Sequence, residues 1–265
     1  MRRRRVLVVG GGCYGRHFLQ RLERGRARGG ETFDIWVLDR DADCVVARGW
    51  SGSRTQNAQD RFVRAEWSEF LRSYLDVTGE DAERRGRDLL VPSPLAPHLF
   101  ALWLASGWGR CRVTSAPFPV RPELAYCSEL DGGGLAVSHA AWRCPTHCVE
   151  PRLCPATRQT RDWDLSRSLL AYARQLRAAS ALPVSGPHLS QCVAWREGVG
   201  VVVLGDWPTA AARARSGLAA GGLLIAATVS SCHGVAHLLE IEAPAATAEA
   251  HRLDPPARAE RSNCP

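Results

Sequence analysis

The sequence predicts an α/β fold: a doubly wound parallel sheet, a cysteine-rich middle loop, and a smaller C-terminal α/β portion. Three observations lead there. A wholly apolar run, Val6-Leu7-Val8-Val9, passes directly into Gly10-Gly11-Gly12-Cys13-Tyr14-Gly15 and then into a helical pattern. Short apolar runs alternate with helix-period segments as far as about residue 118, the pattern of parallel βαβ units. Between Pro117 and Pro155 the helical period disappears, and Cys144, Cys148 and Cys154 fall within eleven residues.

The elements follow in order. The first strand is apolar throughout, as expected of a strand buried on both faces. The helix starting at Arg16 sets Phe18, Leu19 and Leu22 on one face. Phe33 to Asp39 reads as a second strand ending in an acid. Arg61 to Ala65 is a third strand with a helix over Glu69 to Leu75, and Asp88 to Val91 a fourth with a helix over Leu95 to Leu104. Cys111 to Thr114 is a candidate fifth. Leu124 to Tyr126 and Leu135 to His139 suit a hairpin around Asp131-Gly132-Gly133-Gly134. Further on come a helix over Ser166 to Arg177, a strand over Val199 to Leu204, a helix over Pro208 to Leu218 and a strand over Leu223 to Val229. The run Ser230-Ser231-Cys232-His233-Gly234 then reads as a turn into a helix over Val235 to Leu239. The expected organisation is 1–118, 119–165 for the hairpin and cysteine loop, 166–242 for the C-terminal α/β portion, and 243–265 as a disordered tail without apolar period.

Gly10, Gly12 and Gly15 form G-x-G-x-x-G between a strand and a helix. The first glycine would make the tight turn. The second would admit a pyrophosphate close to the backbone, and the third would let helix and strand pack closely. The helix N-terminus presents N–H groups to an anion. Asp39, at the end of the next strand, lies somewhat beyond the usual ~20 residues from the glycines. Arg24 to Glu31, an extended helix end and loop, takes up the excess. On these four residues, residues 4 to 118 resemble the Rossmann dinucleotide-binding superfamily, which includes nucleotide-binding domains that regulate potassium transport. The resemblance implies bound NAD or NADP, with Asp39 on the ribose hydroxyls, and it implies no single reaction. Arg40 could reach a 2′-phosphate. FAD is the competing occupant, because its adenosine half uses the same fingerprint. Ser93 and His98 follow the fourth strand, where the ligand crevice of an open α/β sheet forms, and are candidate catalytic residues.

The cysteine loop reads Cys144-Pro-Thr-His-Cys148-Val-Glu-Pro-Arg-Leu-Cys154-Pro. Thiolates are strong ligands of zinc and of iron–sulfur clusters, and three in one loop can close on one centre. The C-x₃-C-x₅-C spacing is that of neither zinc ribbons nor ferredoxins. Candidate fourth ligands are His139, His147 and the pair Cys232-His233. Cys232, at the start of an expected helix, would have a depressed pKa and be a ligand or nucleophile. The loop, with Thr157 to Leu165 after it, resembles a pattern in uncharacterised bacterial proteins that also begin with a glycine-rich nucleotide fold. Arg158 and Arg161 could hold an anion. Cys44, Cys111, Cys127 and Cys192 read as small buried apolar residues, Cys13 as a tolerated small residue, and Cys264 as part of the tail.

Composition removes several classes. All 34 basic residues are Arg. Without lysine there is no phosphate-binding loop of the G-K-[ST] type, no Schiff-base or pyridoxal-phosphate chemistry, and no Tyr-x-x-x-Lys pair of short-chain dehydrogenases. The net charge of +7 is scattered apart from Arg2 to Arg5 and so does not read as a nucleic-acid surface. No apolar run approaches a membrane span. Val6 to Val9 is too short for the apolar region of a signal peptide, so a cytoplasmic address is expected, with the cysteines reduced or ligating. The function expected is NAD(P) binding linked to redox chemistry through an iron–sulfur or zinc site, with a small-molecule or electron-transfer partner; a homo-oligomer is allowed. A sensing module, or a purely structural cysteine site, is the alternative.

Overall fold

The computed structural model describes residues 3–29, 32–50, 60–93, 96, 98–131, 133–144 and 148–243. The expected tail from residue 244 on, with Cys264 in it, and His147, Pro94, Leu95 and Pro97 lie outside them. The protein is a mixed α/β structure with two mixed sheets and several helices.

The first sheet contains β1 (Arg4–Val9), β2 (Phe33–Asp39), β3 (Arg61–Arg64), β4 (Leu89–Val91), β9 (Val193–Ala194) and β10 (Gly200–Val203), in the order β3-β2-β1-β4-β10-β9. β1 to β4 are mutually parallel, whereas β10 is antiparallel to β4 and to β9. The apolar run of β1 is buried on both sides. Val6 and Val8 face α1 (Cys13–Ala27) and α2 (Val45–Trp50), while Leu7 and Val9 face α3 (Trp67–Leu75), α5 (Leu99–Ser106) and α7 (Asp206–Gly217). A short helix, α4 (Gly79–Gly86), leads into β4.

The second sheet has the order β6-β7-β12-β11-β8. Its strands are β6 (Tyr126–Glu129), β7 (Leu135–Ser138), β8 (Val184–Gln191), β11 (Gly222–Val229) and β12 (His233–Glu242). The run expected as a fifth strand of the first sheet is β5 (Arg112–Ser115), and it pairs with the C-terminal half of β12. Residues alternate along β11. Leu224 and Ala226 face α5 and α7, while Ile225, Ala227 and Val229 face α6 (Leu165–Ala179). α5 and α7 therefore form a layer shared by the two sheets, and Trp207 lies at its centre, 2% exposed.

Two readings need correction. The helix expected over Val235 to Leu239 is part of β12, which pairs with β11 over eight positions from Gly234 to Ile241. A short apolar run has no period of its own strong enough to separate helix from strand, and eight ladder positions against a buried neighbour decide it. β8 was not foreseen, because Gly186 and Pro187 interrupt its apolar pattern. As the edge of the sheet it accommodates both. Among the described residues no helix is long and apolar enough to cross a membrane.

Candidate functional site

Two sites emerge on this frame. At the first, Gly10 has φ of +88°, in the region that favours glycine, and its N–H bonds the Leu38 carbonyl at 2.8 Å. A Cβ on Gly15 would overlap the Gly10 carbonyl oxygen, so the first turn of α1 can lie on the end of β1 only as glycine. A Cβ on Gly12 would meet nothing within 4 Å. The space over this turn is open, and Gly12 caps α1 with neither a side-chain cap nor an acid in the first turn. Asp39 ends β2 beside it. Its Oδ2 accepts the Gly11 N–H at 2.6 Å and its Oδ1 the Asp41 N–H at 2.9 Å. Each carboxylate oxygen keeps a second lone pair for a hydroxyl donor. The Arg40 side chain is exposed. The open turn, the orphan helix N-terminus and the acid at the next strand end fit a dinucleotide.

Ser93 follows β4 and is buried, with its Oγ 3.8 Å from the position a Gly10 Cβ would take. His98 precedes α5. Its Nδ1 is 2.8 Å from Nε2 of His237 on β12, with the rings edge to face. His237 carried no signal in the sequence beyond its residue type. It is 7% exposed, and burial, then the neighbouring His98, pushes its imidazole down to about 4. Burial lowers His98 as well. An unfolded imidazole titrates near 6.5. Between that value and about 4 the unfolded chain binds the extra proton, so the stabilisation is complete above 6.5 and is lost as pH falls towards 4. The loss at His237 should approach ~3 kcal/mol. Urea midpoints should fall steeply between pH 6.5 and 4.5, and His237→Gln should flatten that slope. An unchanged slope in the variant would contradict the assignment.

The second site gathers around the β11–β12 turn. The turn closes through Ser230 N–H to the His233 carbonyl at 2.7 Å. Glu150, at φ of +52°, supplies the rest. Its carboxylate accepts from Ser230 Oγ at 2.5 Å, Ser231 N–H at 2.8 Å and Cys232 N–H at 3.2 Å. The Ser231 carbonyl takes the Leu165 N–H and the Cys232 carbonyl takes the His139 N–H. A turn without Asn-Gly or similar chemistry is thus held by a residue eighty positions away. A single hydrogen bond to a charged group is worth ~1.5–3 kcal/mol. Glu150→Ala should therefore lower stability by at least that amount and raise protease cleavage between Cys144 and Cys154. Matched thermal melts and limited proteolysis check this.

The cysteines converge only in part. Cys144 Sγ is 3.3 Å from Nε2 of His233, whose Nδ1 is 2.9 Å from Ser138 Oγ. Burial, then the nearby Cys148 and Cys154, pushes the Cys144 thiol up. Cys148 Sγ accepts the Glu150 N–H at 3.4 Å. Cys154 accepts from the Thr157 hydroxyl and N–H and from the Ala156 N–H, which together lower its pKa. The Cys232 sulfur is buried and accepts Trp163 Nε1–H at 3.2 Å. Because Cys232 sits in a hairpin turn and not at a helix start, no helix dipole activates it. Burial pushes its thiol up instead. His139 is turned away, its Nε2 on Ser168 Oγ at 3.1 Å. Among the described residues no group of three or more His, Cys, Asp or Glu is arranged as a metal site. The donor types nonetheless suit a thiophilic ion, and within the cluster Cys144 and His233 already stand at ligand spacing. Sequence reasoning missed Glu150, Ser138 and Trp163. Glu150 lies inside the cysteine motif and could have been suspected from its place there.

Fold and sites together define a mixed α/β protein with a glycine turn on one sheet and a cysteine cluster on the other. Residues 100–242, more than half of the chain, match the AF_1314_C family, described as "Uncharacterized protein, C-terminal domain", and the chain belongs to that family. The match takes in the second sheet and the whole cysteine cluster, and it leaves the glycine turn outside. No curated protein and no solved structure matches.

Proposed function

We propose that the protein binds NAD or NADP at the Gly10–Gly15 turn and couples that site to a metal-binding cysteine cluster. In this reading the first four parallel strands are a Rossmann-like unit. The observation that carries it is the contrast between Gly15, where a Cβ would overlap the strand end, and Gly12, where the same atom would stand in open space over the helix N-terminus. Backbone N–H groups of the turn would hold the pyrophosphate. Asp39 would accept from the adenosine ribose hydroxyls, a preference for NAD, because its carboxylate would repel a 2′-phosphate unless a neighbouring arginine such as Arg40 offset it. A bound nicotinamide supplies hydride chemistry. His98, held by His237, would then hold or release a proton at Nε2 beside the crevice after β4. Cys144, Cys148 and Cys154, with the Cys232–His233 pair, would hold zinc or an iron–sulfur cluster.

Titration calorimetry with NADH and NADPH tests the first half, and metal and sulfide analysis of anaerobically purified protein tests the second. Micromolar binding of NADH, tighter than NADPH, is expected, together with a stoichiometric metal. Absence of nucleotide binding would sink the reading at the glycine turn, and a metal-free folded protein would sink it at the cysteines. Nucleotide binding with no turnover of NAD(P)H and an artificial acceptor would make the protein a sensor of nucleotide state.

A further inference from the structure

We propose that Cys144 and His233 are two ligands of a single zinc-class ion completed by Cys148 and Cys154, with Ser138 as the residue that positions the imidazole. This rests on the metal half of the proposed function and decides the fourth ligand in favour of His233 over Cys232.

The first support is distance. A thiolate at ~2.3 Å and an imidazole nitrogen at ~2.0–2.1 Å from one tetrahedral ion lie roughly 3.5 Å apart. Cys144 Sγ and His233 Nε2 are 3.3 Å apart, so one edge of the tetrahedron is already in place.

The second is orientation. Ser138 Oγ accepts the Ala140 N–H at 2.8 Å. Its single proton has the carbonyls of Cys232 at 3.1 Å and Ala140 at 3.3 Å to go to. A remaining lone pair takes the proton on Nδ1 of His233 at 2.9 Å. The Nε2 lone pair is then directed at Cys144. A metal-bound histidine characteristically has its other ring nitrogen held by an outer partner in this way.

The third is the state of the other sulfurs. Cys148 and Cys154 both accept backbone N–H groups, Cys148 from Glu150 and Cys154 from Ala156 and Thr157. Cys232 differs. Its sulfur is buried and accepts the Trp163 indole N–H at 3.2 Å. The result is a three-sulfur, one-nitrogen donor set, a composition known for structural zinc sites.

The test uses the full chain, loaded with zinc or cobalt(II), as wild type, Cys144→Ser, His233→Ala, Cys232→Ser and Ser138→Ala. His233 is exposed at the start of β12, so its removal leaves the core intact, and circular dichroism verifies this. Wild type should bind one ion per chain, with a cobalt spectrum of three sulfurs and one nitrogen. Cys144→Ser and His233→Ala should lose the ion or bind it at least 100-fold more weakly. Cys232→Ser should keep it with an unchanged spectrum. Ser138→Ala should weaken binding 10- to 100-fold with the spectrum preserved. Retention of the ion and an unaltered spectrum in His233→Ala, or its loss in Cys232→Ser, would overturn the assignment while leaving a metal site. A wild type that binds neither zinc nor cobalt would overturn the metal reading as a whole.

Discussion

Gly15→Ala should abolish nucleotide binding and lower stability by several kcal/mol, whereas Gly12→Ala should abolish or greatly weaken nucleotide binding and leave the fold almost unchanged. At Gly15 the added methyl would overlap the Gly10 carbonyl oxygen, which is backbone and cannot rotate away. The start of α1 would have to lift off the end of β1. Overpacking of a tight core site typically costs ~1–3 kcal/mol and more where backbone must move, and the turn that holds Gly10 at φ of +88° would move with it. At Gly12 the methyl has no neighbour within 4 Å. Its backbone is extended, at φ of −73°, and open to any residue, so the cost to stability should stay within ~1 kcal/mol, the range of an altered N-cap. The methyl would stand where a pyrophosphate approaches the N–H groups. A loss of at least tenfold in affinity, or ~1.4 kcal/mol, is expected by calorimetry. Paired melts and titrations separate the two. If Gly12→Ala bound NADH as the wild type does, the open space over the turn would not be the phosphate site.

The contrast also marks how much of this protein could be read from its sequence. The glycine spacing, the apolar strand before it and Asp39 after it are local patterns, and each was visible within a few residues of chain. The same holds for β2, β3, β7, α3 and α6, whose residues carry their own period. What stayed hidden was decided by partners distant in sequence. β5 has a strand pattern, but only pairing with β12 assigns it to the second sheet. β12 reads equally as helix until its eight-residue ladder with β11 exists. Ser230 to Gly234 reads as a turn, but not as the turn of a hairpin, because the carboxylate that satisfies its N–H groups sits on Glu150. The cysteine loop was legible as a set of ligand-type residues. The pair Cys232-His233 was among its candidate partners; that Cys144 meets His233 while Cys232 turns to Trp163 follows from the hairpin, which the sequence could not reveal.

Trp207→Ala should cost about 3–5 kcal/mol, at the upper end of the range for a buried aromatic. The indole is 2% exposed at the start of α7, its ring 5.1 Å from Phe100 and 5.5 Å from Trp103 on α5. Its Nε1–H bonds Ser190 Oγ on β8 at 3.0 Å. Removing it opens a cavity between the two sheets and leaves the Ser190 hydroxyl, 1% exposed, without this donor. With a total stability of ~5–15 kcal/mol for a domain, such a variant would lie near its unfolding threshold. The location matters as much as the size. Trp207 belongs to one core cluster that also holds Leu7, Leu38 and Leu90 of the first sheet and Ala226 of the second. β10, from late in the chain, lies in the first sheet, and β5, from the first half, in the second. The sheets therefore share both chain and core, and the glycine turn and cysteine cluster should unfold together. A single urea transition is expected in wild type and variant alike, with tryptophan fluorescence and far-UV circular dichroism superimposing. Two separated transitions, with only one displaced by Trp207→Ala, would show that the sheets are independent units and that His98–His237 is a contact between bodies, not a strut within one.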